Sequence, residues 1–552
     1  MSLALGIDLG TTNSVAAVAT PTGVEFILGG RGERVHPSVV AYPATGGIVV
    51  GADAKAHRLN GPERVVSSAK RLIGQNFRAP IVQLALTGLP YKVEEGANQQ
   101  PVVVVGGRRV TVPEVSAQVL GHLRRCAERQ LATPVTQAVV TVPANFTDAQ
   151  RQATKEAGRL AGLEVLRLIN EPTAAALAYG FGKRLDETLC VFDFGGGTFD
   201  VSLLQIKHEV FEVIASDGDF FLGGDDLDRS VAEFLAAEMN RTLGVDPRGN
   251  PGLMMRLTLA AEAVKVHLSE FAVAEGEIDD LDAGDGRVFK LPFRLARRQF
   301  ESMINGYVGR TIELCRNVLA SAGLQPSQIT DVLCVGGSTR IPLVRQRLAE
   351  LFGKAPAIQI NPDEVVAHGA AIQAGSLTGQ LIEGTGMAAR DAVPTAATSP
   401  LDPVVAAGGA AVATGPLVRP LLLDVAPASL GLQTVGGYVE VVLAKNAPIP
   451  IERTRGFSTA NDDQTRVAID CCRGESRRYA DNEPLGSLEL LDLAPRPRGE
   501  VTIDVTFRID PDGILHVRAA DAATGVAQAT RLSLLGAPTE DERRRPGDRG
   551  EP

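Results

Sequence analysis

No stretch of this 552-residue sequence reaches the roughly 18 consecutive apolar residues that a membrane-crossing helix needs. No membrane partner is therefore expected. An excess of basic charge is also missing. The formal net charge is -10, which disfavours a nucleic-acid partner. Cysteine is scarce, six in all, and only Cys471 and Cys472 are neighbours. Adjacent cysteines suit neither zinc-ligand spacing nor a mutual disulfide, so a reduced, cytoplasmic setting is the simplest expectation. The chain enters an apolar strand at Leu3, interrupted by Asp8, without the pattern of a signal peptide. Neither G-x-x-x-x-G-K-[ST] nor a strand-following G-x-G-x-x-G occurs. That excludes a P-loop and argues against a dinucleotide fold.

What is present, twice, is a hairpin able to grip phosphate. Residues 5–18 read LGIDLGTTNSVAAV and residues 189–204 read LCVFDFGGGTFDVSLL. In each, an apolar strand ends in Asp-x-Gly, turns through small residues and enters a second strand. Gly and Thr in the turn let backbone N–H groups approach a polyphosphate without Cβ obstruction. Thr11, Thr12 and Thr198 add hydroxyl donors. Asp8 and Asp193, expected as the first residues beyond their strands, are carboxylates suited to a hydrated Mg²⁺. One such turn alone is usually a plain hairpin; two in matching contexts point to duplicated halves closing on one nucleotide. A third element, VLCVGGSTRIP at 332–342, offers a Gly-rich strand end where a base could approach, with Arg340 beside it.

Residues 1–380 alternate strand-like and helical segments, as in an α/β domain. A helix is expected over 147–162, capped by Thr147, with Ala149, Ala153, Ala157 and Leu160 on one face and Gly162 ending it. Residues 384–416 are rich in Ala, Gly, Thr and Pro, with Arg390, Asp391 and Asp402 their only charges, and read as part of a flexible insert over 381–420. From 425 to 535 the pattern is β-rich. Val501, Ile503, Val505, Phe507 and Ile509 alternate with polar residues, Asp510-Pro511-Asp512-Gly513 forms a turn, and ILHVRA returns, as in a β-sandwich. A charged tail fills 536–552.

These stretches resemble the DnaK-type (seventy-kilodalton heat-shock) chaperone family. IDLGTTNS, KRLIG (70–74), VTVPANFTDAQRQATKEAGRLAGLEVLRLINEPTAAALAYG (140–180), FDFGGGTFDVS, VGGSTRIP, INPDEVVAHGAAIQAG (360–375) and LLLDVAPASLGLQTVGG (421–437) carry the similarity. It runs in order from residue 3 to about 535, apart from the insert. The resemblance implies an actin-like ATPase domain of two duplicated α/β lobes, then an antiparallel β-sandwich that binds peptides. It implies ATP or ADP with Mg²⁺ held through water by Asp8 and Asp193, and K⁺ near Asp200. Lys70 would bond the attacking water and the γ-phosphate, and Glu171 and Thr198 would complete the hydrolytic site. Gly10, Thr11, Thr12, Asn13, Gly195, Gly196, Gly197, Gly223 and Gly224 would line the phosphates. Glu262, Lys265 and Ser269, on one helix face, would hold adenosine, with Gly336, Gly337, Ser338, Arg340 and Asp363 opposite.

The plain alternatives are a surface lysine at 70, a helix start at Glu171-Pro172 and a helix ion pair at Glu262 and Lys265. No residue resembles a strong base, so hydrolysis is expected to be slow, positioning and charge stabilisation supplying the catalysis.

The same resemblance implies a peptide groove of Leu430, Leu432, Val435, Phe457, Ala460, Val467 and Ile469. Pattern alone makes these ordinary core residues of alternating strands. Leu421-Leu422-Leu423-Asp424 matches an interdomain linker, and three leucines there suit a segment that docks in one state and is released in another. Pro143, Arg151, Arg167 and Asn170 match positions tied to coupling and to a J-domain co-chaperone; a nucleotide exchange factor is a further implied partner. Three departures stand out. After the last strand the sequence is too short for the family's helical lid, so fast peptide release is expected. The insert and Pro420, which lacks an N–H, are expected to weaken coupling. Asn145 stands where the family has Tyr. The leading expectation is an ATP-driven chaperone for short apolar segments of unfolded clients. The alternatives are an ATPase adaptor for one dedicated client and, against the sandwich and KRLIG, a small-molecule kinase.

Overall fold

The computed structural model describes residues 3–20, 23–59, 61–183, 185–282, 287–357, 361–379 and 420–525, with the backbone of 527–530. The 384–416 stretch and the 536–552 tail lie outside the described residues.

Two sheets repeat one plan. In the first, Ala4–Asp8 and Asn13–Thr20 pair antiparallel, Gly23–Phe26 extends the hairpin, and Gln137–Val142 then Glu164–Asn170 add in parallel on the other side. In the second, Asp186–Phe194 and Phe199–Lys207 form the hairpin, Val210–Asp219 extends it, and Asp331–Val335 adds in parallel. The duplication is therefore structural as well as sequential. Both aspartates belong to their strands rather than following them, because each ladder runs on into the turn: Asp8 pairs with Val15, and Asp193 with Asp200.

The parallel strands Gln137–Val142 and Glu164–Asn170 need a crossover, which the helix Asp148–Leu160 supplies. Its start is a capping box: Gln150 N–H donates to Thr147 Oγ1, and Thr147 N–H donates to Gln150 Oε1. Ala153 and Ala157 bury in the first lobe, but Ala149 packs into the sandwich core. The single apolar face expected from spacing is thus shared between two partners. Between the lobes the helices Glu171–Gly180 and Val365–Thr378 join one core with Ala4, Val191, Val335 and Leu422. Their alanine-rich sequences leave room for that close packing.

The C-terminal part is two four-stranded antiparallel sheets around one core. One holds Val439–Leu443, Leu430–Gln433, Val467–Arg473 and Glu483–Leu490; the other holds Ile451–Ser458, Thr502–Ile509, Leu515–Asp521 and Ala527–Thr530. Val501, Ile503, Val505, Phe507 and Ile509 are all buried, so the alternating pattern does mark an inward face. The turn after it closes through Gly513 N–H donating to Asp510 O at 2.9 Å.

Leu421–Val425 joins the two parts as a strand of the second-lobe sheet, parallel to Val210–Asp219 and antiparallel to Pro448–Ile449. Pro420 does not prevent this docking, because the ladder begins one residue later: Leu421 N–H donates to Glu209 O at 2.9 Å. Of the three leucines only Leu422 is fully buried, at 6% exposure, whereas Leu421 is 52% exposed. Burying Leu422 stabilises the docked strand by about 2 kcal/mol.

Candidate functional site

The two hairpin turns face each other across the cleft between the lobes. A Cβ on Gly196 would lie 1.9 Å from Thr12 Oγ1, and one on Gly197 would lie 2.2 Å from Thr11 Cγ2. Only glycine permits that approach. One cavity is lined by Asp8, Gly10, Thr11, Thr12 and Asn13 from the first turn and by Asp193, Gly195, Gly196 and Thr198 from the second. Lys70, Glu171, Gly336, Gly337 and Asp363 complete its wall.

Lys70 is no surface lysine. It sits in the short turn Ala69–Leu72, buried, with Nζ 2.6 Å from Glu171 Oε1. The turn begins at Ser68, which adopts φ 55°, a strained region for a residue with a side chain. Ser68 Oγ donates to Asp225 Oδ2 at 2.7 Å, a bond that holds the turn against the second lobe.

Four carboxylates crowd this lysine. Burial, then the charge of Glu171, pushes Asp8 up from 3.8 to about 7, and Lys70 and Thr141 pull it partly back. Asp193 is pushed up well beyond the carboxylate range by burial and by Glu171, Asp200 and Asp8. Asp200 rises to about 8, again mainly by burial and Glu171. A cluster of buried acids this poorly compensated fits a hard cation between Asp8 and Asp193, which would restore their ionised forms.

The remaining residues flank the cavity. Gly224 N–H donates to Gly195 O at 2.9 Å, and Ser338 Oγ donates to the same carbonyl at 2.9 Å. The carbonyl of Gly223 accepts from Asp226 N–H. Glu262, Lys265 and Ser269 share the helix Pro251–Glu270. Glu262 pairs with Lys55 of the first lobe at 2.9 Å, and Lys265 pairs with Asp228 at 2.8 Å. Ser269 Oγ donates to Lys265 O. Arg340 pairs with Asp363 at 2.7 Å and remains half exposed.

Two residues that frame the site have contacts that sequence reasoning did not find. Buried Arg71 donates from Nε to Gly197 O at 2.8 Å and pairs with Asp226 at 2.7 Å, so it braces the second turn from the first lobe. It stands inside KRLIG, where only its neighbour drew a role. Asn145 donates from Nδ2 to Asp200 Oδ1 at 2.9 Å. Only geometry could show that.

A model of the Hsp70 protein family matches residues 4–399 and 397–545. The chain belongs to the Hsp70 family. Hsp70 proteins are chaperones with ATPase activity that bind ATP or ADP with Mg²⁺, and generally bind unfolded peptides and co-chaperones. In this Hsp70 the helix Glu171–Gly180 carries Glu171 at its start, and two residues later Thr173 Oγ1 donates to Asp424 Oδ1 at 2.7 Å, buried. The Lys70 pair and the linker are thus anchored on one helical turn.

A second connection reaches the sandwich. Arg151 is buried, not a solvated surface charge. It donates to Phe146 O, Ala144 O, Asn170 Oδ1 and, across the domain boundary, Asp512 O at 3.1 Å. Asp512 also pairs with Lys155, and its Oδ1 accepts from Leu168 N–H at 3.0 Å. Asp148 Oδ1 accepts from Leu515 N–H at 2.7 Å, and burial raises this carboxyl to about 6. Pro143 is buried at the end of the same segment. Arg167 is half-buried and has no side-chain hydrogen bond among the described residues.

In the sandwich the seven groove positions separate. Leu430, Leu432 and Ile469 are core residues here, as alternating strand residues usually are, and Phe457 and Val467 pack half-buried against them. Val435, at 85% exposure, and Ala460 stand open to solvent on connecting loops.

Proposed function

We propose that this Hsp70 hydrolyses ATP slowly and uses the cycle to hold and release short extended apolar segments of unfolded proteins. The observation that carries this reading is the linker strand. Leu421–Val425 is hydrogen-bonded into the ATPase sheet, and its Asp424 is bonded to the helix that bears Glu171. A metabolic kinase has no use for such a connection.

In this reading Lys70 and Glu171 orient the attacking water, and Thr198 adds a hydroxyl beside it. Asp8 and Asp193 hold Mg²⁺ through water, and Asp200 stands at a K⁺ position. The turns at Gly10–Asn13 and Gly195–Thr198 cradle phosphates with backbone N–H groups. Adenosine lies between the Glu262–Ser269 helix face and Gly337, Ser338 and Arg340. Bound nucleotide supplies the phosphoryl group; the protein supplies position and charge.

The sandwich takes extended apolar peptide at Val435, Phe457, Ala460 and Val467, over the floor of Leu430, Leu432 and Ile469. A J-domain co-chaperone acting near Arg167 and Asn170, a nucleotide exchange factor and a cytoplasmic setting belong to the same proposal. Engagement of Lys70 in a buried ion pair with Glu171 supports slow turnover.

Steady-state ATP turnover with and without a short apolar peptide tests this. The expected result is a weak rise with peptide, enlarged when 384–416 is deleted. A chain whose turnover ignores a panel of apolar peptides, or answers only one sequence, contradicts the general chaperone in favour of none or of a dedicated adaptor.

A further inference from the structure

Behind the first phosphate turn lies a cluster that the nucleotide site does not use. His36 lies in the two-residue strand His36–Pro37, which pairs with Asn13 and Ser14 of the first hairpin. His122 and Cys126 lie one turn apart on the helix Val112–Leu131, which puts both on one face. His36 and Cys126 are buried and His122 is half-buried. Their donor atoms all lie within 4.8 Å of one another.

His36 Nε2 is 3.1 Å from Ile27 O. A carbonyl only accepts, so Nε2 carries the proton and Nδ1 presents a lone pair. That Nδ1 lies 3.3 Å from His122 Nε2, and His122 Nε2 lies 3.7 Å from Cys126 Sγ. A tetrahedral zinc ion with Zn–N of about 2.0–2.1 Å and Zn–S of about 2.3 Å sets N···N near 3.3–3.4 Å and N···S near 3.6 Å. These two spacings agree with those edges, and the third, His36 Nδ1 to Cys126 Sγ, lies within 4.8 Å. The Ile27 carbonyl is also the kind of partner that orients a metal-bound histidine. Burial raises the Cys126 thiol, and Arg129 Nη2, which donates to Sγ at 3.2 Å, pulls it partly back. His122 faces solvent on one side, and the nearby backbone is Gly51, where a Cβ would stand 3.4 Å from His122 Nε2.

We propose that His36, His122 and Cys126 form a binding site for a zinc-class divalent cation, with Nδ1, Nε2 and Sγ as ligands and water in the fourth position. The ion lies one strand behind the phosphate turn. Ser38, two residues beyond His36, donates from Oγ to Gly10 O at 2.8 Å, and its N–H donates to Thr12 O at 2.8 Å. A cation here therefore braces the loop that meets phosphate. The ordinary reading is a hydrogen-bonded trio with no ion, and the experiment separates the two.

The full chain, stripped with chelator under reducing conditions, is titrated with Co²⁺. The expected result is one equivalent bound, with the intense d–d bands of a tetrahedral site and a thiolate-to-cobalt charge-transfer band, all abolished by added Zn²⁺. Cys126→Ser removes the charge-transfer band, and Cys472→Ser leaves it. Zn²⁺ raises the Tm of the unmodified chain but not of His122→Asn, a change at a half-buried position. Absence of the bands, a charge-transfer band that survives Cys126→Ser, or a Tm that Zn²⁺ does not move in the unmodified chain would each overturn the site.

Discussion

Replacing Lys70 with alanine lowers ATP turnover by roughly 10²–10³-fold while Mg²⁺-ATP still binds. Lys70 is the cation that offsets Asp8, Asp193 and Asp200, pulling each carboxyl down against burial, and it pairs with Glu171 at 2.6 Å. An ammonium fixed in a buried ion pair needs little reorganisation as charge moves on the phosphate, so its loss falls on the chemical step. In the proposed reading nucleotide binding is spread over the two turns and the helix face around Glu262, so most of its contacts survive the loss of Lys70. Truncation leaves Glu171 buried and unpaired, which costs about 3–5 kcal/mol in a comparable pair. Lys70→Ala combined with Glu171→Gln removes that burden and separates lost catalysis from lost stability. Single-turnover hydrolysis and calorimetric nucleotide titration measure the two effects. Turnover within threefold of the unmodified chain would remove Lys70 from the mechanism.

Replacing Asp512 with alanine shifts the sandwich off the ATPase domain by about 2 kcal/mol, roughly 30-fold in the docking equilibrium. The carboxylate pairs with Lys155 and accepts from Leu168 N–H, so its removal unsatisfies a cation and a backbone donor at one stroke. Lys155 keeps some contact with solvent, which sets the estimate at the low end of the range. Neither domain core contains Asp512, so both stay folded. The expected result is a chain that hydrolyses ATP without peptide but has lost most of its response to it. Interdomain energy transfer between labels on the two domains reads the docked fraction directly. An unchanged docked fraction would show that the Arg151 and Asp148 contacts suffice without it.

The contrast between these residues explains what the sequence could reveal. The twin hairpins were legible because strand, turn and glycine chemistry all act within about 15 residues, and the copy supplied its own control. Thr147 and Gln150 signalled a helix start for the same reason, and the alternation through Val501–Ile509 marked an inward face. Asp512 read only as part of a turn, since that local role is complete without its partners. Those partners, Lys155 and Leu168, lie 357 and 344 residues away. Asn145 drew notice as a departure, but nothing local indicated that its amide meets Asp200. Arg71 shared a recognised motif and still went unassigned, because its acceptor is a carbonyl 126 residues away. Ala149 fitted the helix period and packs elsewhere, because periodicity gives a face but not its partner.

In the proposed cycle the linker Leu421–Val425 reports the nucleotide state to the sandwich. Amide hydrogen exchange of those five residues, measured with ATP and again with ADP plus an apolar peptide, tests it most directly. Strong protection with ATP is expected, from the pairing with Val210–Asp219 and the Thr173–Asp424 bond, and near-complete exposure with ADP and peptide. Equal protection in both states would contradict the account.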